Sequence, residues 1–333
     1  MRQNINQVGI LGAGAWGAAL AMVAVRAGRC ALVWTNSESQ MQERQQQLEF
    51  PRDITWTTSL QSVAQAPLIL VAVPAQVVRP VMEEIRPALN PHAILLNCAK
   101  GIEQNTFLLM TEVMATVVPN HRLGALSGPN FAREVVQGLP AATTIAIDPK
   151  TVTNPGETLA LALEICESLA SPSFRPYASR DVIGVQIAGV VKNVLAIACG
   201  MAHGLGLGEN ARAALIARGL REMRTLGLVR GAQEATFYGL AGVGDLVLTG
   251  SSPQSRNFTL GMMIAQKGSI DVNLMHQGAL TEGVFNAATV MEMANRHQVH
   301  VPLITATAQI LSGNLPIHQA LHDLLNRPLA VED

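Results

Sequence analysis

The tightest constraint on this chain is a run of three glycines. Gly12, Gly14 and Gly17 form GAGAWG, directly after the apolar stretch 7–11 and at the start of an Ala- and Val-rich run over 15–28. The first glycine permits a tight turn, the second lets backbone approach a pyrophosphate, and the third lets the helix pack closely on the strand. The helix start then offers unpaired N–H groups and the positive end of its dipole to an anion. The spacing therefore predicts strand, turn and helix around a dinucleotide phosphate, with Ala15 and Trp16 inside the same loop. The competing reading is a purely structural turn.

The pattern continues as that start requires. Apolar runs at 30–34, 68–73, 93–97, 123–127 and 142–147 read as strands separated by helical patterns. Continuous apolar strands of this kind are buried on both faces, as in a mostly parallel sheet. After Tyr177 the strand signal fades, and helices are predicted at 181–202, 210–226, 232–240, 258–267, 281–297 and 303–312. The expected fold is an α/β Rossmann-like N-terminal domain followed by an all-α C-terminal domain. The predicted boundary near 178–182 divides the chain into a dinucleotide-binding domain, 1–180, and a helical substrate-binding and catalytic domain, 181–333. The run QERQQQ at 42–47 reads as the solvated face of a helix.

A formal net charge of −1 gives no global pull towards nucleic acid or an anionic membrane. The four cysteines, Cys30, Cys98, Cys166 and Cys199, lie far apart with no CxxC pair, so no zinc site, other metal site or disulfide framework is expected. Scattered thiols and an N-terminus without a cleavage pattern suit a reducing, cytoplasmic setting. The stretch 182–202 is apolar enough to resemble a membrane span. Gln186, Lys192 and Asn193 along its middle point instead to a buried helix of a folded core.

Several residues carry possible chemistry. The second strand ends in Trp34-Thr35-Asn36-Ser37, without the acid that would bind a ribose 2′-hydroxyl and without an arginine for a 2′-phosphate. Both NAD and NADP stay open, and the missing acid tilts the balance to NADP. Lys100 in CAKGIE and Gly128 in SGPNFARE each follow an apolar strand, where ligands of open α/β sheets bind. A surface lysine is the alternative for Lys100. Lys192 lies within VVKNVLAIACG, and desolvation of such a lysine lowers its pKa into the range useful for proton transfer. A lysine whose stem is packed and whose head reaches water reads equally well. In GLAGVGDLVLTGSSPQSRNF, Gly242 and Gly244 frame Asp245 in a constrained loop, and Ser255, Arg256 and Asn257 can hold a phosphate. A capping loop with a solvent-facing arginine is the plain alternative.

GAGAWG, AVP, AKGIE, SGPNFAREV, GVVKNVLAIACGMAHGLGLGENARAALIARGLREM, GLAGVGDLVLTGSSPQSRN and TEGVFN occur in this order over nearly the whole chain. In these segments the sequence resembles the bacterial-type NAD(P)-dependent glycerol-3-phosphate dehydrogenases. The resemblance implies reversible reduction of dihydroxyacetone phosphate to sn-glycerol 3-phosphate for phospholipid synthesis. It implies Lys192 as proton donor or acceptor, with Lys100 and Asp245 as catalytic partners. Gly128, Asn130, Ser255, Arg256 and Asn257 would line the substrate site with them. Trp16, Asn36, Lys100, Ala132, Arg256, Leu280 and Glu282 would contact the cofactor beside the glycine loop. A homodimer, no nucleic acid and no membrane span are expected. The chain departs from the common pattern at Ala15, Asn36, Asn130 and His203, and over a short 37–57 segment. Two rival readings remain at this level: a related ketopantoate or β-hydroxyacid reductase, and a dinucleotide sensor without turnover.

Overall fold

The structure is a computed structural model that describes residues 5–47, 50–268 and 282–326. Its first half winds β1 (Gln7–Leu11), α1 (Ala15–Arg26), β2 (Cys30–Trp34), α2 (Glu38–Gln46), β3 (Ile54–Thr57), α3 (Leu60–Ala64), β4 (Leu68–Val71), α4 (Val78–Ile85), β5 (Ile94–Asn97), α5 (Met110–Val117), β6 (Arg122–Ser127), α6 (Ala132–Gln137), β7 (Ala141–Ile147), α7 (Thr158–Leu169) and β8 (Phe174–Ser179). The strands form one sheet in the order β3-β2-β1-β4-β5-β6-β7-β8. Every neighbouring pair is parallel except β6 with β7. The strand order reverses between β1 and β4, and a crevice for a ligand opens beyond the C-terminal ends of the strands at such a switch point.

The central strands are buried because their residues are apolar on both faces: β4 and β5 are buried at all four positions. One face packs α1 and α7, the other α3, α4 and α5, giving two separate apolar clusters. The unforeseen strands β3 and β8 are the two edges of the sheet. β8 runs up to the domain boundary expected near 178–182, and its Pro176 is tolerated because an edge strand need not bond on both sides.

Past Ser179 the chain turns into α8 (Val182–Gly204), then α9 (Gly208–Val229), α10 (Asp245–Gly250), α11 (Arg256–Lys267), α12 (Glu282–Arg296), α13 (Pro302–Leu311) and α14 (Ile317–Leu325). α8 is the axis of this half. Among the described residues it alone is long and apolar enough to cross a membrane, and it is buried by neighbouring elements instead. Its apolar cluster includes Ala125 of β6 and Ala146 of β7, so the helical half is seated on the sheet. On its other side, a Cβ at Gly200 would collide with the Phe258 carbonyl, and one at Gly261 with the Ile197 carbonyl. Small residues at both points let α8 and α11 cross almost backbone to backbone. Gln186 is satisfied within the core: it accepts from the Thr111 N–H at 3.0 Å and donates to the Thr111 hydroxyl at 2.9 Å.

The helix predicted over 232–240 is instead a short 3₁₀ turn, Glu234–Tyr238. Asp181, the N-cap of α8, explains the difference. One of its oxygens accepts from the Gly184 N–H at 2.8 Å, and the other from Gln233 N–H at 2.8 Å and the Thr236 hydroxyl at 2.6 Å. These bonds hold the turn against the start of α8 in place of a helical ladder.

Candidate active site

The glycine loop is built as its spacing predicts. Gly12 has φ 113°, and a Cβ there would stand 2.8 Å from the Ala72 carbonyl at the end of β4. A Cβ on Gly17 would collide with the Gly12 carbonyl. Both glycines serve close packing. Gly14 differs: an added Cβ would meet nothing within 4 Å, so its backbone faces open space at the switch point. α1 has no side-chain cap at its start, and Ala15 is exposed there. Trp16 keeps its Nε1–H buried without a partner. Uncapped N–H groups, an open glycine and an orphan indole donor together fit a dinucleotide pyrophosphate.

Beside this loop, Asn36 is exposed after β2. The sequence offered no arginine at this point, but the fold brings one. Arg44 of α2 turns its Nε to the Ala13 carbonyl at 3.2 Å and its Nη1 to Gln47 Oε1 at 2.8 Å. The QERQQQ face is thus largely solvated, with Arg44 turned inward to the glycine loop. Its signal in the sequence was an isolated arginine in a glutamine-rich run.

The second constellation joins the two halves. Lys192, in the middle of α8, is only 7% exposed, and Asp245, the first residue of α10, only 1%. One oxygen of Asp245 lies 3.1 Å from Lys192 Nζ and the other 2.5 Å from Lys100 Nζ. Lys100 also donates to the Gly128 carbonyl at 3.3 Å. Lys192 donates to the Thr249 hydroxyl at 2.7 Å, and Thr249 in turn donates to Asp245 at 3.2 Å. The loop expected around Asp245 is a π turn, Leu240–Gly244, running straight into α10. That helix sets Asp245 and Thr249 one turn apart on one face.

The charges here are strongly coupled. Burial lowers the Lys192 pKa to about 8; the Lys100 charge pushes the same way, while Asp245 and Glu282 oppose it. Burial alone would raise the Asp245 pKa, but the Lys100 and Lys192 charges and their hydrogen bonds hold it below the usual carboxylate range. Glu282, the first residue of α12, is shifted upwards by burial, with Lys100, Lys192 and Arg256 resisting. Two ammonium groups share one fully buried carboxylate, an arrangement suited to an anionic substrate and to an oxygen that gains charge.

The remaining expected residues fall around this cluster. A Cβ on Gly128 would press on Thr143 Cα at 2.8 Å, so the glycine lets β6 and β7 close together. Asn130 donates to the Ala142 carbonyl at 2.8 Å, and its Oδ1 is buried without a partner. Ala132 opens α6. Ser255 caps α11, its Oγ accepting from the Phe258 N–H at 3.2 Å. Arg256 follows as the first helical residue and is exposed. Asn257 donates to Asn193 Oδ1 at 3.0 Å, while its own Oδ1 is buried and unpaired. Leu280 lies outside the described residues. His203 is exposed at the end of α8, its ring centroid 5.5 Å from that of Phe258. Cys199 is buried, and burial pushes its pKa up to about 12, which removes its nucleophilic character. Sequence reasoning assigned no role to Thr249, Asn193 or Asn286. The first stands four residues after Asp245 and the last four after Glu282, spacings that share a helix face.

Residues 7–153 match the model for the NAD-dependent glycerol-3-phosphate dehydrogenase N-terminus, and residues 181–322 that for its C-terminus. The chain belongs to the NAD-dependent glycerol-3-phosphate dehydrogenase family. Among the relatives, glycerol-3-phosphate dehydrogenase [NAD(P)+] of Rhodospirillum rubrum is 42% identical, over 100% of this chain and 95% of that protein. The protein of the same name from Maricaulis maris is also 42% identical, over 98% of each. The crystal structure of glycerol-3-phosphate dehydrogenase from Coxiella burnetii superposes with a TM-score of 0.88 at 34% identity, covering 97% of this chain and 99% of that one. The relatives thus share both the glycine-loop half and the lysine–aspartate half.

Proposed function

We propose that this chain, an NAD(P)-dependent glycerol-3-phosphate dehydrogenase, interconverts dihydroxyacetone phosphate and sn-glycerol 3-phosphate with Lys192 as proton donor and acceptor, in the service of phospholipid synthesis. The reading rests above all on Lys192 Nζ, buried and held between Asp245 and Thr249.

The nicotinamide dinucleotide supplies or accepts the hydride. The protein's own task is to hold the carbonyl compound and to move one proton. An ammonium group has three donors. Lys192 uses two of them, on Asp245 and Thr249, which leaves one for the oxygen that becomes the hydroxyl. Lys100 likewise uses two, on Asp245 and Gly128, and keeps one N–H for the same oxygen or its neighbour. Asp245 keeps both ammonium groups in place and limits the excess positive charge. The phosphate is assigned to the start of α11, where the positive end of the helix, the Ser255 hydroxyl and the Arg256 guanidinium meet an anion. In this scheme residues 1–180 bind the dinucleotide and residues 181–333 supply most groups for the substrate.

The proton balance fixes the pH dependence. Reduction needs protonated Lys192, so its rate falls as pH rises through about 8, whereas oxidation of glycerol 3-phosphate rises through the same point. NADPH is the favoured cofactor: no acid stands at the end of β2 before Glu38 of α2, and the Arg44 guanidinium stands at the glycine loop. Four unpaired cysteines support a reducing, cytoplasmic setting. A homodimer is favoured by the exposed Leu228, Val229 and Tyr238 around the end of α9, and sedimentation of the pure protein tests it.

The deciding experiment follows reduced nicotinamide during dihydroxyacetone phosphate reduction by wild type and Lys192→Ala. The variant is expected to lose about 10²–10⁴-fold in kcat, as for removal of a general acid, while dinucleotide binding persists. A variant kcat within about threefold of wild type would overturn the assignment.

A further inference from the structure

Lys100 stands on a loop, without the helix that fixes Lys192 or Asp245. Its backbone is nevertheless gripped from the helical half. The Lys100 carbonyl accepts from Asn286 Nδ2 at 2.7 Å. The Lys100 backbone also stands close enough to Glu282 to favour its carboxylate form against burial. Glu282 and Asn286 are four residues apart, one turn of α12, so one helix face meets this residue, and its carbonyl is the group that is bonded. The next residue is held as tightly: a Cβ on Gly101 would collide with that of Ala75 and stand 3.3 Å from Asn286 Oδ1. On the strand side, Asn97 bonds both the N–H and the carbonyl of Ala99, at 3.0 Å and 2.9 Å. Asn286 is only 2% exposed, and no contact with the catalytic side chains accounts for a buried amide at this place.

We propose that Asn286 is a positioning residue, which anchors the Lys100 backbone to α12 so that the Lys100 ammonium reaches Asp245 and, through it, governs proton transfer at Lys192. The inference rests on Lys192 as the proton donor. Asp245 has two oxygens, one for each lysine, and the share that each receives depends on how closely Lys100 approaches. A freed Lys100 withdraws its positive charge from Lys192 and leaves Asp245 to act on Lys192 alone. Both changes favour the protonated form of Lys192. The charged groups facing Lys192 are Asp245 from α10, Lys100 from the loop after β5 and Glu282 from α12, with Arg256 of α11 acting on Glu282. Asn286 itself does not titrate, so its replacement reports on Lys100 alone.

The test is the pH profile of kcat for dihydroxyacetone phosphate reduction in wild type, Asn286→Leu and Asn286→Gln. Leucine keeps the branched shape and removes the donor, whereas glutamine retains a carboxamide. Asn286→Leu is expected to lower kcat about tenfold and to move the alkaline limb upwards by about half a unit to one unit, as for weakening one nearby charge. Dinucleotide affinity should stay within about twofold of wild type, since the glycine loop is untouched. Asn286→Gln should return the limb part of the way. If Asn286→Leu does not fold, Asn286→Ser, whose hydroxyl is too short to span to the carbonyl, carries the same expectation. A variant that loses thermal stability but keeps kcat and the limb of wild type would overturn the proposal and leave Asn286 a packing residue. A wild-type profile flat from about pH 7 to 9 would overturn it together with the Lys192 reading.

Discussion

After the end of β1 the chain presents open backbone, and in the middle of α8 it presents buried charged side chains. The glycine loop works through φ 113° at Gly12, an open flank at Gly14 and an uncapped helix start. None of these needs a particular side chain, so Ala15 can stand there without loss of the loop. The helical half works the other way. Burial changes what the charges of Lys192 and Asp245 do, and in the proposed mechanism each depends on the other staying in place. A backbone site tolerates variation in side chains, whereas a buried ionic site tolerates very little.

Breaking the ionic side should have the largest effect. Asp245→Asn keeps the shape and removes the charge shared by the two lysines. Its kcat for reduction is expected to fall about 10²–10³-fold, the scale for a preorganised electrostatic group. The remaining activity should also lose its alkaline limb at lower pH. Asp245 favours the charged form of Lys192, so its removal sends the Lys192 pKa below about 8, opposite in sign to the change expected for Asn286→Leu. A kcat–pH profile in the direction of reduction checks both magnitude and sign.

The sheet side should respond less, and selectively. Arg44→Ala is expected to weaken 2′,5′-ADP about tenfold while leaving 5′-AMP unchanged, the scale of one charge-assisted contact. Calorimetric titration with the two nucleotides measures this without turnover. Equal loss for both would mean that Arg44 only braces the loop through Ala13.

The two halves also differed in how much their sequences disclosed. GAGAWG and the apolar runs of β1, β2, β4 and β5 are legible because strands inside a covered sheet are largely apolar on both faces. β3 and β8 escaped notice because edge strands are half exposed; Thr55, Arg175 and Tyr177 face solvent there. The turn at 234–238 was misread as helix because the competing bonds come from Asp181, more than fifty positions earlier. At the site, Lys192 was legible as a cation out of place in an apolar helix. Thr249 was within reach through its spacing from Asp245. The link from Asn286 to Lys100 was not, because 186 positions separate them and only the fold brings α12 to the loop after β5.

The central claim is that burial beside Asp245 and Thr249, with Lys100 across the same carboxylate, makes Lys192 a proton donor near neutral pH. It is tested most directly by titration of the lysine side chains in 13C-methyl-lysine-labelled protein, with Lys192→Arg used to assign the Lys192 signal. A midpoint at about 8 for that signal is the predicted result. A midpoint at the ordinary lysine value, about 10.4, would contradict it and leave Lys192 a permanently charged anchor.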